Sequence, residues 1–315
     1  MKSWRRGASP ASIFRPEGTA HGPASGGDDR SPPGVTSARV AGHDGEAMER
    51  RLPILATDLD GTLLRSDGTI GPRTREVLHA ADVAGLCVVA VTGRPLRMLR
   101  EVVELRLHGV AICANGAMVV DLATGDVIEQ AVIPPVDAIG VAGAFRVLVP
   151  GIVFGVEAAT WHGREPGFAS PRSTAADWRV GSLEELVGGA GVDGVVKMFG
   201  RHPDVTVEHL DRYAAAVGAR GVVSCSIPTG FVEVAPVGVD KAAALTRVVA
   251  RLGAGPADVV AIGDMQNDLS MLHWAGRSYA VANAHPDVVA AVDEVVPSND
   301  DEGVALLIER LLSGG

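Results

Sequence analysis

The stretch Leu52-Pro53-Ile54-Leu55-Ala56-Thr57-Asp58-Leu59-Asp60-Gly61-Thr62-Leu63-Leu64 decides the fold. Its apolar run reads as a buried strand. The run stops at two carboxylates two residues apart, and the glycine that follows can turn the chain. Positions i and i+2 of a strand share a face, so Asp58 and Asp60 are expected to project together from the strand's carboxyl end. Adjacent carboxylates repel. They are tolerable where a cation sits between them, or where one is a nucleophile and the other an acid and base.

Three more apolar runs end in the same way. Val88-Val89-Ala90-Val91 stops at Thr92-Gly93-Arg94, with Pro95 suited to the first turn of a helix. Ala111-Ile112-Cys113-Ala114 stops at Asn115-Gly116, and Val259-Val260-Ala261-Ile262 stops at Gly263-Asp264-Met265-Gln266-Asn267-Asp268. Asp240-Lys241 precedes a helical stretch over 242–252, which holds a lysine at that helix's start. In an open parallel sheet the carboxyl ends of the strands line one crevice, so residues far apart in sequence can converge there. Lys241 carries weight because the chain has only three lysines, Lys2, Lys197 and Lys241, in a basic set dominated by arginine. A compact ammonium is kept where a planar guanidinium would not fit. Lys197, on an expected strand, is its rival.

The organisation follows from pattern. Residues 1–50 are rich in Gly, Pro, Ser and charge with no hydrophobic period, and are expected to be a disordered arm. Residues 51–133 alternate strands (52–58, 86–92, 110–114) with helices (73–84, 95–107) and end in a hairpin over 119–132: a Rossmann-like α/β core. Residues 134–236 change character, with strands near 151–158, 193–199, 221–226 and 231–235 and helices near 136–148 and 203–217. This reads as an inserted α+β cap. The parallel pattern resumes over 237–315, with strands at 258–263 and 278–282 and a final helix near 302–312.

Composition excludes several classes. No apolar stretch reaches the roughly 20 residues that span a bilayer, and a formal charge of -10 opposes a nucleic-acid surface. Cys87, Cys113 and Cys225 show no CxxC spacing and read as buried residues of a reducing cytoplasm. There is no GxSxG elbow, Walker loop or HExxH pair. The oligomeric state is left open.

The ordered motifs Asp58-to-Leu64, Thr92-Gly93-Arg94, Asn115-Gly116-Ala117, Lys241 and Gly263-to-Leu272 resemble the haloacid dehalogenase superfamily, most closely its capped Cof-type or IIB phosphatases. Met265 departs from the small residue common at its position and could narrow the site. The resemblance implies a magnesium-dependent phosphatase of small phosphorylated metabolites, working through an aspartyl phosphate. Asp58 is then the nucleophile and Asp60 the acid and base. The Mg2+ ligands are Asp58, the Asp60 backbone carbonyl and Asp264, with Asp268 orienting Lys241 or water from behind. Thr92, Gly93, Lys241, Asn115 and Asn267 are the expected phosphate or ester contacts. Arg94 is expected to pair with a surface acid, and Asn283 to support the core. The loop Thr160 to Phe168 reads equally as a recognition loop or an exposed turn. Two alternatives share parts of this pattern: a phosphosugar mutase of the same superfamily, and a receiver-like phosphoacceptor, which would lack the acid and base at Asp60.

Overall fold

The computed structural model describes residues 52–169, 178–189, 191–205, 222–224 and 231–314. Its larger sheet has eight strands: β1 (Ile54–Thr57), β2 (Cys87–Val91), β3 (Val110–Cys113), β4 (Met118–Asp121), β5 (Val127–Gln130), then β12 (Val259–Gly263), β13 (Arg277–Val281) and β14 (Glu294–Val296). The chain between them forms a second sheet from β6 (Val153–Glu157), β7 (His162–Arg164), β8 (Arg179–Val180), β9 (Lys197–Arg201), β10 (Val222–Ser224) and β11 (Phe231–Ala235). The order in the larger sheet is β14-β13-β12-β1-β2-β3-β4-β5. Pairing is parallel from β14 to β3 and antiparallel for the β3–β4–β5 hairpin. β1 is central, its two edges paired with β12 and β2 and its two faces covered by the apolar layers on either side of the sheet. Its residues are buried throughout, as a parallel strand between two helix layers requires.

Apolar side chains fill both faces of this sheet. Leu55, Leu78, Ala111 and Ile308 lie in one layer, and Ala56, Val89, Leu245 and Ala261 in the other. The cap has its own core, in which Phe154, Val156, Met198, Val232 and Val234 pack under the helices Pro135–Leu148 and Leu183–Val187.

The structure departs from the sequence expectation in several places. The helix expected over 95–107 is only a 3₁₀ turn, Leu96–Met98, and a single helical turn, Arg100–Val103. Leu99, at φ -98° and ψ 8°, interrupts it, and Arg106 ends the segment with positive φ. The strand expected over 193–199 starts at Lys197, because Gly194 turns at φ 148° and Val195 instead bridges to Ile133 on the linker. β7, β8, β14 and the five-residue helix Leu183–Val187 are too short for a periodic signal. Of the helix expected over 203–217, residues 203–205 form a turn, and the remainder, with the expected N-terminal arm, Cys225 and the rest of the strand beyond Ser224, lies outside the described residues.

Candidate active site

The strand-end residues converge at the carboxyl edge of the larger sheet. Asp58 leaves β1 with its N–H bonded to the Ile262 carbonyl of β12, which registers the two acidic strand ends side by side. Lys241 begins the helix Lys241–Arg251, whose cap Asp240 accepts the Ala243 N–H at 2.7 Å. An ammonium at a helix N-terminus opposes the helix dipole. Two carboxylates offset this: Lys241 Nζ donates to Asp58 Oδ1 at 2.5 Å and to Asp268 Oδ1 at 2.6 Å, with all three side chains buried. Asn115-Gly116 makes this placement possible. A Cβ on Gly116 would lie 2.4 Å from the Asp240 carbonyl oxygen, so only glycine lets the turn after β3 sit against the start of the Lys241 helix.

Asp268 accepts three hydrogen bonds. Its Oδ2 accepts the backbone N–H groups of Asp264 (3.1 Å) and Met265 (3.0 Å), while Oδ1 takes Lys241. Asp264 accepts the Thr62 hydroxyl at 3.1 Å. Carboxylate oxygens of Asp58, Asp264 and Asp268 lie within 4.8 Å of one another. Three buried acids thus share one ammonium, and this imbalance governs their protonation. Burial, with the negative charges of Asp268 and Asp264, pushes Asp58 well above the usual carboxylate range even though Lys241 pulls it back. Burial and Asp268 raise Asp264 to about 7. Burial opposes the charge on Lys241, but Asp268 and Asp58 outweigh it and hold the ammonium above its ordinary value. A hard divalent cation is what such an all-oxygen, electron-rich set accommodates.

Gly61 sits at the tightest point of the site. Its φ is +78°, and a Cβ there would lie 2.4 Å from Asp264 Oδ2. Its carbonyl accepts Asn283 Nδ2 at 2.8 Å, and Asn283 Oδ1 in turn accepts the Asn299 N–H, so the turn after β1 is tied to the loop after β14. Gly61→Ala should therefore lower the melting temperature by several degrees, through about 1–2 kcal/mol of left-handed strain, and displace the Asp264 carboxylate. Unchanged melting would show that this close approach is not needed.

Asp60, Gly93, Arg94, Asn267 and Met265 line the same cleft as Asp58 and Asp264, a cavity of about 880 Å³ roofed by the cap. Thr92 is fully buried beneath it. Its hydroxyl oxygen accepts the Arg94 N–H at 3.0 Å, which leaves the hydroxyl proton to donate. Arg94 pairs with an acid, but that acid is Asp60 in the cleft and not one on the outer surface. The guanidinium holds both carboxylate oxygens, at 2.7 and 2.8 Å. Asn115 Nδ2 reaches Glu233 of β11 at 3.3 Å, and its Oδ1 is buried without a hydrogen bond among the described residues.

Lys197 is a cap residue, paired with Glu233 at 2.6 Å and donating to the Gly93 carbonyl at 3.2 Å. Both members of that pair are buried, so the cap is stitched to the loop after β2. The sequence reading has no role for Glu233 or Thr62, and it takes Gly61 only as a turn residue, not as the point of closest approach to Asp264. The one signal for Glu233 was an acid in the middle of the β-branched run Phe231-Val232-Glu233-Val234. In the loop Thr160 to Phe168, Trp161 packs toward the cap core with Arg179 over its ring, while Phe168 lines the cleft.

The family model of haloacid dehalogenase-like hydrolases matches residues 55–146 and 201–308. The 5-amino-6-(5-phospho-D-ribitylamino)uracil phosphatase YcsE of Bacillus subtilis is 29% identical over 263 residues, covering 82% of this chain and 95% of its own. The pyridoxal phosphate phosphatase YbhA of Escherichia coli is 29% identical over 267 residues, covering 81% and 97%. Among solved structures, the subclass IIB sugar phosphatase BT4131 is similar in fold, with a TM-score of 0.69 at 24% identity over 82% of this chain and 98% of its own.

Proposed function

The chain belongs to the haloacid dehalogenase-like hydrolase family, in its capped Cof-type or IIB branch of phosphatases acting on small phosphorylated metabolites, and from that premise we propose a magnesium-dependent mechanism through an aspartyl phosphate. The observation that carries the reading is the Lys241 ammonium fixed between Asp58 and Asp268 at the floor of a cleft that Asp58, Asp60 and Asp264 all line. Lys241 binds Oδ1 of Asp58, so the other oxygen is the nucleophile. It attacks phosphorus as the ester P–O bond breaks, and Asp60 delivers a proton to the departing alkoxide. Asp60 then takes a proton from water as that water attacks the acyl phosphate, and phosphate leaves with Asp58 regenerated. For this work Asp60 leaves Arg94 and takes up a proton from solvent before it faces the ester oxygen, and the proton it later takes from the attacking water restores that state.

Lys241, the Thr92 hydroxyl and the Gly93 backbone surround the phosphoryl oxygens, with Asn267 at the cleft wall. Asn115 is the remaining candidate for an ester contact, and its amide is oriented by Glu233. Asp58, Asp264 and the Asp60 carbonyl would hold the cation, which supplies charge neutralisation for the phosphoryl group and for the acids themselves. Asp268, which accepts from Lys241 and from two backbone N–H groups, positions Lys241 and the turn after β12. We place the enzyme in the cytoplasm; no helix among the described residues is long and apolar enough to cross a membrane.

The test is release of inorganic phosphate from a panel of phosphate monoesters with magnesium, silenced by EDTA and restored by magnesium. Failure to release phosphate from any monoester, or full activity after exhaustive chelation, would contradict the proposal. A second measurement needs no substrate. Asp264 has a folded pKa of about 7 against 3.8 for the free group, so the metal-free folded protein binds more protons than the unfolded chain in that window. Its stability should fall as pH rises from about 4 to about 7. Magnesium should therefore raise the melting temperature more at pH 8 than at pH 5. An equal shift at both values would separate Asp264 from the cation.

A further inference from the structure

The roof of the cleft is the face of the cap sheet that the cap helices among the described residues, Pro135–Leu148 and Leu183–Val187, leave uncovered. Along β6, β9 and β11 the residues alternate: Phe154, Val156, Met198, Val232 and Val234 enter the cap core, while Glu157, Lys197, Phe199, Phe231 and Glu233 line the cleft. Phe168 and Trp178 join them there. An outward sheet face is ordinarily polar, and this chain is poor in rings, with six Phe, four Trp and two Tyr in 315 residues. Three of those Phe and one Trp nevertheless line this one wall. They form a cluster of their own, apart from the cap core. Ring centroids are 5.6 Å apart for Phe168–Phe231, 6.0 Å for Phe168–Trp178 and 6.5 Å for Phe199–Phe231, all tilted or edge-on, so the rings pack on one another into one continuous aromatic wall.

The charges on the same wall are already matched. Arg97 holds Glu157 at 2.5 Å and lies over Trp178 at 5.5 Å, and Lys197 holds Glu233 at 2.6 Å and lies over Phe199 at 5.1 Å. A polyol carries a hydroxyl on nearly every carbon, and each one moved out of water needs a partner. A wall of rings and mutually satisfied ion pairs offers few. Building on the phosphatase reading, we propose that the cap selects phosphate monoesters whose alcohol carries a planar aromatic or heteroaromatic ring, with Phe199, Phe231 and Trp178 as its specificity-determining side chains.

The experiment compares kcat/KM, with magnesium, for pyridoxal 5′-phosphate and for open-chain sorbitol 6-phosphate in the wild type and in the Phe199→Leu and Trp178→Leu variants. The wild type should favour the ring ester by about ten-fold or more, and each variant should lower that preference several-fold, chiefly through KM for the ring ester. Melting temperature is followed in parallel, so that a collapsed cap is not mistaken for lost selectivity. The wild-type comparison stands even if a variant fails to fold. A wild type that prefers the polyol ester, or hydrolyses both equally, overturns the inference and leaves the phosphatase reading intact. So does an unchanged preference in two folded variants. Phosphate release from neither ester nor any other monoester would sink the phosphatase reading, and this inference with it.

Discussion

Asp58→Asn should abolish turnover and at the same time raise the melting temperature of the metal-free protein. The first effect follows from removing the proposed nucleophile, a loss usually worth more than a thousand-fold. Residual activity above about a thousandth of wild type would end the covalent assignment. The second effect is a matter of charge. Burial and two neighbouring acids hold Asp58 above the ordinary carboxylate range, so its ionised form destabilises the folded state at pH above that raised value and progressively less below it. Asparagine mimics the protonated form and can still accept the Lys241 N–H. It leaves two buried acids against one ammonium in place of three. A metal-free variant that melts below wild type would show that the Lys241–Asp58 attraction outweighs the repulsion.

Lys241→Met should do the reverse to stability and should damage catalysis as well. Turnover should fall by roughly 100- to 1000-fold, the range for losing one preorganised charge-stabilising donor. Removing one partner of a buried ion pair typically costs about 3–5 kcal/mol, and here it strands Asp58 and Asp268 beside Asp264. A protein of this size should then melt on the order of ten degrees lower, at about 2–4 °C per kcal/mol. Part of that loss should return with magnesium, which neutralises the same acids. Lys241→Arg should not rescue activity, because the planar guanidinium cannot occupy the fully buried site between two carboxylates. Near-normal turnover in either variant would remove Lys241 from the phosphoryl site.

Much of the architecture was legible from short range. Four apolar runs ending in polar residues, separated by helical periods, imply a parallel sheet, and the geometry of such sheets brings their carboxyl ends to one edge whatever lies between. Hence Asp58, Asp60, Thr92, Lys241 and Asp264 could be gathered from positions as much as 206 residues apart before any coordinate was known. The Asp240-Lys241 helix start and the Asn115-Gly116 turn were readable for the same local reason. The stretch 95–107 was not: its composition favours a helix, but the loop has to turn back toward the cleft so that Arg94 reaches Asp60 and Arg97 reaches Glu157. Tertiary pairing overrides propensity there.

The longer strands, their ordered motifs and the chemical kinds of side chain at each strand end are legible along the chain, because backbone propensity, turn chemistry and hydrophobic period act within a few residues. Which charge meets which is settled by folding. Folding pairs Lys241 with Asp58, Arg94 with Asp60, and Lys197 with Glu233, and it sets an aromatic face of the cap over the cleft. Electrostatic and packing energies depend on separation in space and on burial, and neither is encoded at any single position in the chain.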